Sequence, residues 1–301
     1  MILRWRAMLR AGVWAFATSV MLLVCAPGQC AGVRLVDDWG RELRLPAAPS
    51  RIVSLAPHAT ELLAAVGLAD ALVAVDPNSD HPPAVRRLPR VSAYPTPDLE
   101  ALVALRPDLV VLWGAGLRPE RLAQIESLGI RVMVSQPRRL ADVPQAMLAM
   151  GALAPDPRLA REQAERFESA IASLRARHRE AAPVPVFVQL SARPLLTLSD
   201  QDPIGDALRV CGARNLFGDQ AAVVPAVGPE QVLARAPAAV LVLEAVEPLQ
   251  PWHALGLLAP RGRLHRIQAD ASISRPGPRL PASIASLCEQ IAVVRKALGA
   301  R

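Results

Sequence analysis

The chain has 301 residues, 52% hydrophobic and only 3% aromatic, with a formal net charge of +7. That length fills two modest domains, and Ala, Leu and Val are enough to build a buried core without aromatics. The basic residues are dispersed arginines at ordinary surface positions, so a solvated surface accounts for the charge and no nucleic-acid patch is read from it.

Residues 1–31 read as a secretory signal peptide. Arg4, Arg6 and Arg10 make a basic start, Ala11 to Val24 is an apolar run, and Ala26, Gly28 and Ala31 supply small residues for a cut. The run is short for a comfortable membrane span. A lipid anchor on Cys25 or Cys30 is the alternative, although Val24 and Gln29 are poor residues to precede one. Cleavage removes three arginines and leaves a charge of +4, since 7 − 3 = 4. It also leaves Cys211 and Cys288, an even pair in an oxidising compartment. They either form a disulfide or stay as two buried thiols.

Val33 to Pro46 alternates apolar and polar residues about an Asp-Trp-Gly turn, the pattern of a β-hairpin. "RIVSL" is a buried-type strand, and "APHATELLAAVG" is a helix with His58 or Thr60 near its start, Glu61 in its first turn and Gly67 at its end. "ALVAVD" is a strand, "PNSDHPP" a loop, and "DLEALVALR" a helix with Asp98 as N-cap. "DLVVLW", "RPERLAQIESLG", "RVMVSQ" and "ADVPQAMLAMGAL" then alternate strand, helix, strand, helix. Continuous apolar strands, each followed by an amphipathic helix, predict a parallel sheet covered on both faces.

The rhythm breaks at Pro157 to Glu180. Leu159, Ala164, Phe167, Ile171 and Leu174 recur at helical spacing, so this is one long helix. Alternation then restarts with "VPVFVQL", "PIGDALRVCG", "GPEQVLARA", "AAVLVLE" and "RLHRIQAD", and ends in a helix from about Pro281 to Leu298. The expected fold is α/β: two small lobes, 32–156 and 183–301, joined by a linking helix over 157–182.

No catalytic constellation is present. The chain has no phosphate-binding glycine loop, no G-x-S-x-G elbow, no H-E-x-x-H and no paired C-x-x-C, and its five histidines lack metal spacing. An enzyme is therefore not expected. The interesting residues stand where strands end: Pro57 and His58; Asn78, Asp80 and His81; Tyr94; Trp113; Leu190 and Arg193; Asp270, Ser274 and Arg275. Ligands of parallel sheets bind beyond the carboxyl ends of the strands.

The hairpin "VDDWGRELRLP" with "RIVSLAPHATELLAAVG", "NSDHPP", "LPRVSAYPTPDLEALVALRPDLVVLW" and "SRPGPRL" resembles the periplasmic substrate-binding proteins of ABC importers for iron-siderophores, haem and vitamin B12, and above all the B12-binding branch. The likeness runs from about Val33 to the end. It implies the class III periplasmic-binding-protein fold, a monomer in the periplasm, cobalamin as transported ligand rather than cofactor, and a permease-ATPase complex at the inner membrane as partner. Haem or an iron-siderophore is the alternative metal chelate. Tyr94 and Trp113 match tryptophans of the B12 binders, Leu190 matches a phenylalanine, and His81 stands where an aromatic is common. The tryptophan after the late aspartate is missing, with Ala271 and Ser272 in its place, whereas Arg275 is retained. The resemblance thus implies a ligand set of Pro57, His58, His81, Tyr94, Trp113, Leu190, Asp270 and Arg275. It implies no protein ligand to the metal for cobalamin; for haem, Tyr94, His58 or His81 would be axial. It pairs Cys211 with Cys288. It also marks Glu120 as a contact to permease arginines, with Glu230 and Glu247 as second-lobe candidates.

Overall fold

Strand β1 (Val33–Val36) pairs antiparallel with β2 (Glu42–Leu45), Val33 opposite Leu45. The turn between them is tied down by Asp37, whose buried carboxylate accepts from the backbone N–H of Trp39, Arg41 and Val134 at 3.0, 3.0 and 3.1 Å. This is a computed structural model, and it describes residues 32–92, 96–243, 249–258 and 263–299. The expected signal peptide with Cys25 and Cys30, Tyr94, and Glu247 all lie outside the described residues.

The first sheet starts with β3 (Ile52–Leu55), buried at every position. It runs straight into α1 (Pro57–Ala65), which opens at Pro57 with His58 and Thr60 in its first turns. Proline suits that first position, because the N–H it lacks would have no helical partner there. Then come β4 (Leu72–Val75), α2 (Leu99–Leu105), β5 (Leu109–Trp113), α3 (Pro119–Ser127), β6 (Val132–Ser135) and α4 (Asp142–Gly151). Asp98 caps α2 as the sequence predicts, accepting from Ala101 N at 3.0 Å. The four strands are parallel in the order β4-β3-β5-β6.

Helix α5 (Arg158–His178) follows, two residues shorter than expected at its end. Its buried residues Ala160, Ala164, Phe167, Ile171 and Leu174 advance by four, three, four and three. That spacing makes one apolar stripe on a rod about 32 Å long. The stripe packs on α4 and on helices of the second lobe, and one continuous apolar cluster draws residues from both lobes through it. The joint between the lobes is therefore a packed seam rather than a free linker. Gly151 lets α4 and α5 approach: a Cβ there would lie 2.1 Å from that of Ala160.

The second lobe contains β7 (Val184–Gln189), the two-residue ribbon β8 (Ser191–Ala192) and β9 (Leu195–Leu196), α6 (Pro203–Val210), β10 (Ala213–Asn215), α7 (Pro229–Ala234), β11 (Ala239–Val242), α8 (Gln250–Ala254), β12 (His265–Gln268) and α9 (Leu280–Gly299). Its main sheet is parallel, in the order β10-β7-β11-β12. Strand β10 and the ribbon are too short to show a period in the sequence. Cys211, just after α6, is joined by a disulfide to Cys288 on α9 across 77 residues. No described helix is long and apolar enough to cross a membrane.

Candidate functional site

Trp113 is the last residue of β5 and is 49% exposed in a chain whose other large side chains are mostly buried. Two features hold it. The His58 ring, in the first turn of α1, meets the indole edge-on with ring centroids 5.9 Å apart and planes at 70°. His58 is itself only 3% exposed, and its Nε2 lies 3.2 Å from the Ser135 hydroxyl at the end of β6. Burial disfavours the imidazolium and pushes the His58 pKa down to about 4, although the Ser135 contact works against this. The backing of Trp113 is thus a neutral ring at pH 7. Behind it, Trp39 Nε1 donates to Gln136 Oε1 at 3.0 Å. Gly114 is required beside that pair: a Cβ would come within 2.6 Å of the Gln136 oxygen and 2.7 Å of the Trp39 nitrogen.

Trp113 borders two spaces. One lies wholly in the first lobe, about 460 Å³, walled by Leu55, Pro57, Pro97, Leu112, Trp113 and Leu117, with Asp76, Asn78, Arg118 and Arg121 among its polar residues. The other is a narrow crevice of about 70 Å³ between the lobes. Trp113, Gln136, Pro137 and Arg138 line it on one side, and Gln201, Pro203, Val223, Ile273 and Pro276 on the other. Of the crevice residues, the sequence singled out Trp113 and Ser274. The others fall in loops that carry no periodic signal; the turn after β6 and the proline-rich "SRPGP" were the available hints. Below the first space, hydroxyls of Ser54, Thr60 and Ser79 are linked at 2.8 and 2.9 Å and fix the strand ends.

The lobes are also bridged by charge. Glu61 on α1 is 2% exposed and receives Arg279 from the other lobe, Nε at 2.9 Å and Nη2 at 2.6 Å. Arg275 crosses the same gap, donating to Asp80 at 2.5 Å, to Glu61 at 3.4 Å and to the Asn78 carbonyl at 3.3 Å. Its hydrogen bond holds the Asp80 carboxyl below the usual range. A second bridge joins Arg139 to Asp206 at 3.0 Å, and the same carboxylate accepts from Leu140 N.

The expected ligand set is therefore not gathered on one surface. Pro57 and Trp113 line the first-lobe space. His58, expected against the ligand, is buried instead, with its Nε2 facing Ser135 at the end of β6. Arg275 is committed to the lobe bridge. Asp270, exposed at its backbone turn, uses Oδ1 to accept from the Ser272 hydroxyl and from Ser272 N at 2.8 Å, and these two bonds, the hydroxyl's first, lower its pKa. Leu190 is half-buried against the main core, and His81 is half-buried in the loop that carries Asp80. Glu120 is exposed in the first turn of α3, as is Glu230 in that of α7. Among the described residues no group of three or more His, Cys, Asp or Glu could hold a metal ion.

A family model described as periplasmic binding protein matches residues 52–248. The vitamin B12-binding protein of Vibrio vulnificus (strain CMCP6) is 34% identical over 258 residues, 84% of this chain and 94% of that one. The vitamin B12-binding protein of Photorhabdus laumondii subsp. laumondii is 32% identical, covering 82% of this chain and 90% of its own. Among solved structures, the periplasmic vitamin B12 binding protein BtuF of Vibrio cholerae superposes with a TM-score of 0.73 at 30% identity, over 83% of this chain and 99% of that one. The periplasmic haem-binding protein RhuT from Roseiflexus sp. RS-1 gives 0.71 at 25% identity, over 82% and 99%.

Proposed function

The chain belongs to the periplasmic binding protein family, and from that premise we propose that it captures cobalamin or a related corrinoid beside Trp113 and delivers it to an ABC importer. It acts as a carrier, not an enzyme, and works in the periplasm after export. The observation that carries the reading is the half-exposed indole of Trp113, braced by a buried neutral histidine at the mouth of a largely apolar space. A rigid aromatic platform offers a bulky flat chelate much contact area at small entropic cost. Pro57 extends that platform in the first lobe, Leu190 meets the ligand from the second, and His81 stands at the rim; Tyr94, outside the described residues, is the further aromatic assigned to the ligand. Arg275, Asp270 and His58 act from behind, setting the wall rather than touching the ligand. Cobalamin brings its own axial base, so no protein ligand to cobalt is needed. Glu120 is the first-lobe contact to permease arginines, with Glu230 and Glu247 as the second-lobe candidates.

Haem is the second reading, favoured by the likeness to the haem-binding RhuT. His58 serves it poorly as an axial ligand, since the ring is covered and its Nε2 faces Ser135; Tyr94 or His81 would have to serve. Titration calorimetry with cyanocobalamin and haemin, on wild type and Trp113→Ala, tests both. Loss of one buried aromatic contact should weaken cobalamin binding by about 1–3 kcal/mol, or about 5- to 150-fold. Haemin binding with a spectrum that changes in Tyr94→Phe, and no cobalamin binding, would replace the first reading by the second.

A further inference from the structure

We infer that the first-lobe space beside Trp113 is an anion-accepting subsite in which Arg118 and Arg121 hold the phosphodiester of the corrinoid's nucleotide loop. This rests on the proposal that the ligand is a corrinoid. The inter-lobe crevice, at about 70 Å³, is too small for a nucleotide arm in the present geometry. The first-lobe space, at about 460 Å³, lies in the range of small-molecule sites. Trp113 borders both, so a corrin resting on the indole places its pendant nucleotide arm in the larger space.

The charges of that space are uneven. Its one carboxylate, Asp76, is buried and accepts from the backbone N–H of Asn78 at 2.8 Å. Against it are two guanidinium groups, Arg118 and Arg121. Among the described residues neither pairs with a carboxylate; Arg121 donates only to the Gln124 amide, at 2.8 Å. The arginines on the opposite side of the cleft differ, since Arg275 and Arg279 are taken up by Glu61 and Asp80. Glu120, between the two free arginines in sequence, lies on the exposed turn of α3 and is not part of the wall. A wall with an excess of guanidinium donors over carboxylates matches the part of a ligand that carries one anionic group. Arginine donors fit phosphate oxygens in paired hydrogen bonds.

The test compares cyanocobalamin with dicyanocobinamide, a corrinoid that lacks the phosphate, ribose and base. Both are titrated into wild type and Arg118→Gln/Arg121→Gln, with circular dichroism and thermal midpoints to check folding. The double variant should lose about tenfold in cobalamin affinity, the scale of a partly exposed charge-assisted hydrogen bond. It should lose markedly less for cobinamide, and the decline of wild-type cobalamin affinity with added salt should flatten. Arg118→Lys/Arg121→Lys should recover part of the loss. Equal losses for both corrinoids, or no loss for cobalamin, overturn the subsite while leaving the corrinoid reading in place. Failure of the wild type to bind either corrinoid overturns both.

Discussion

Mild acid should destabilise this protein through His58 before most carboxylates titrate. A histidine in an unfolded chain has a pKa near 6.5, whereas burial holds the folded one at about 4. Between these values the unfolded chain binds a proton that the folded chain refuses. The stability tied to neutral His58 is thus fully present above about pH 6.5 and is lost as pH falls through about 4. The gap corresponds to about 3 kcal/mol, at about 1.4 kcal/mol per pH unit. That is a large share of the about 5–15 kcal/mol that stabilises an ordinary domain. The loss is local in origin, since the proton must enter a covered ring between Trp113 and Ser135. Urea unfolding from about pH 7 to about pH 4.5, on wild type and His58→Gln, isolates the effect. Glutamine keeps a polar group opposite Ser135 but does not titrate. The variant should be less stable at pH 7, and its disadvantage should shrink by about 2.5 kcal/mol by pH 4.5. Parallel stability curves for the two proteins over that range would refute the argument.

Other consequences follow from packing and pairing. Glu61→Ala strands Arg275 and Arg279 at the lobe interface and should cost about 3 kcal/mol in urea unfolding, as expected when one partner of a buried pair is removed. Glu61→Gln, which keeps the shape, should cost less. Gly151→Leu forces α4 off α5 against Ala160, and the thermal midpoint should fall by several degrees, the mark of overpacking. Reducing the Cys211–Cys288 bond opens a 77-residue span and should lower stability by about 4 kcal/mol in the loop-entropy account, read as the difference between unfolding curves with and without reductant. Two reactive thiols in unfolded, unreduced protein would contradict the bond.

The local sequence determined most of the architecture. Runs such as "RIVSL" and "DLVVLW" are apolar at every position, which only a strand covered on both faces can bury, and the helices between them have one apolar stripe each. Those two periods dictate parallel sheets, and parallel sheets dictate that the site lies beyond their carboxyl ends. The alternating stripe of α5 likewise announced a single long joint, and the position of Trp113 at the end of a strand was legible. What the sequence did not carry was orientation. Whether His58 faces a ligand or the core depends on how α1 packs against β6, where Ser135 meets the ring. Whether Arg275 reaches a ligand or a carboxylate depends on Glu61 and Asp80, some two hundred residues away in the chain and adjacent only once both lobes are docked. The crevice residues Gln201, Val223 and Pro276 are likewise neighbours of Trp113 only through that docking. Periodicity is a property of neighbours along the chain, so it specifies which face of an element is buried. The partners of a polar side chain are set by the packing of one element against another, and that only the tertiary structure decides.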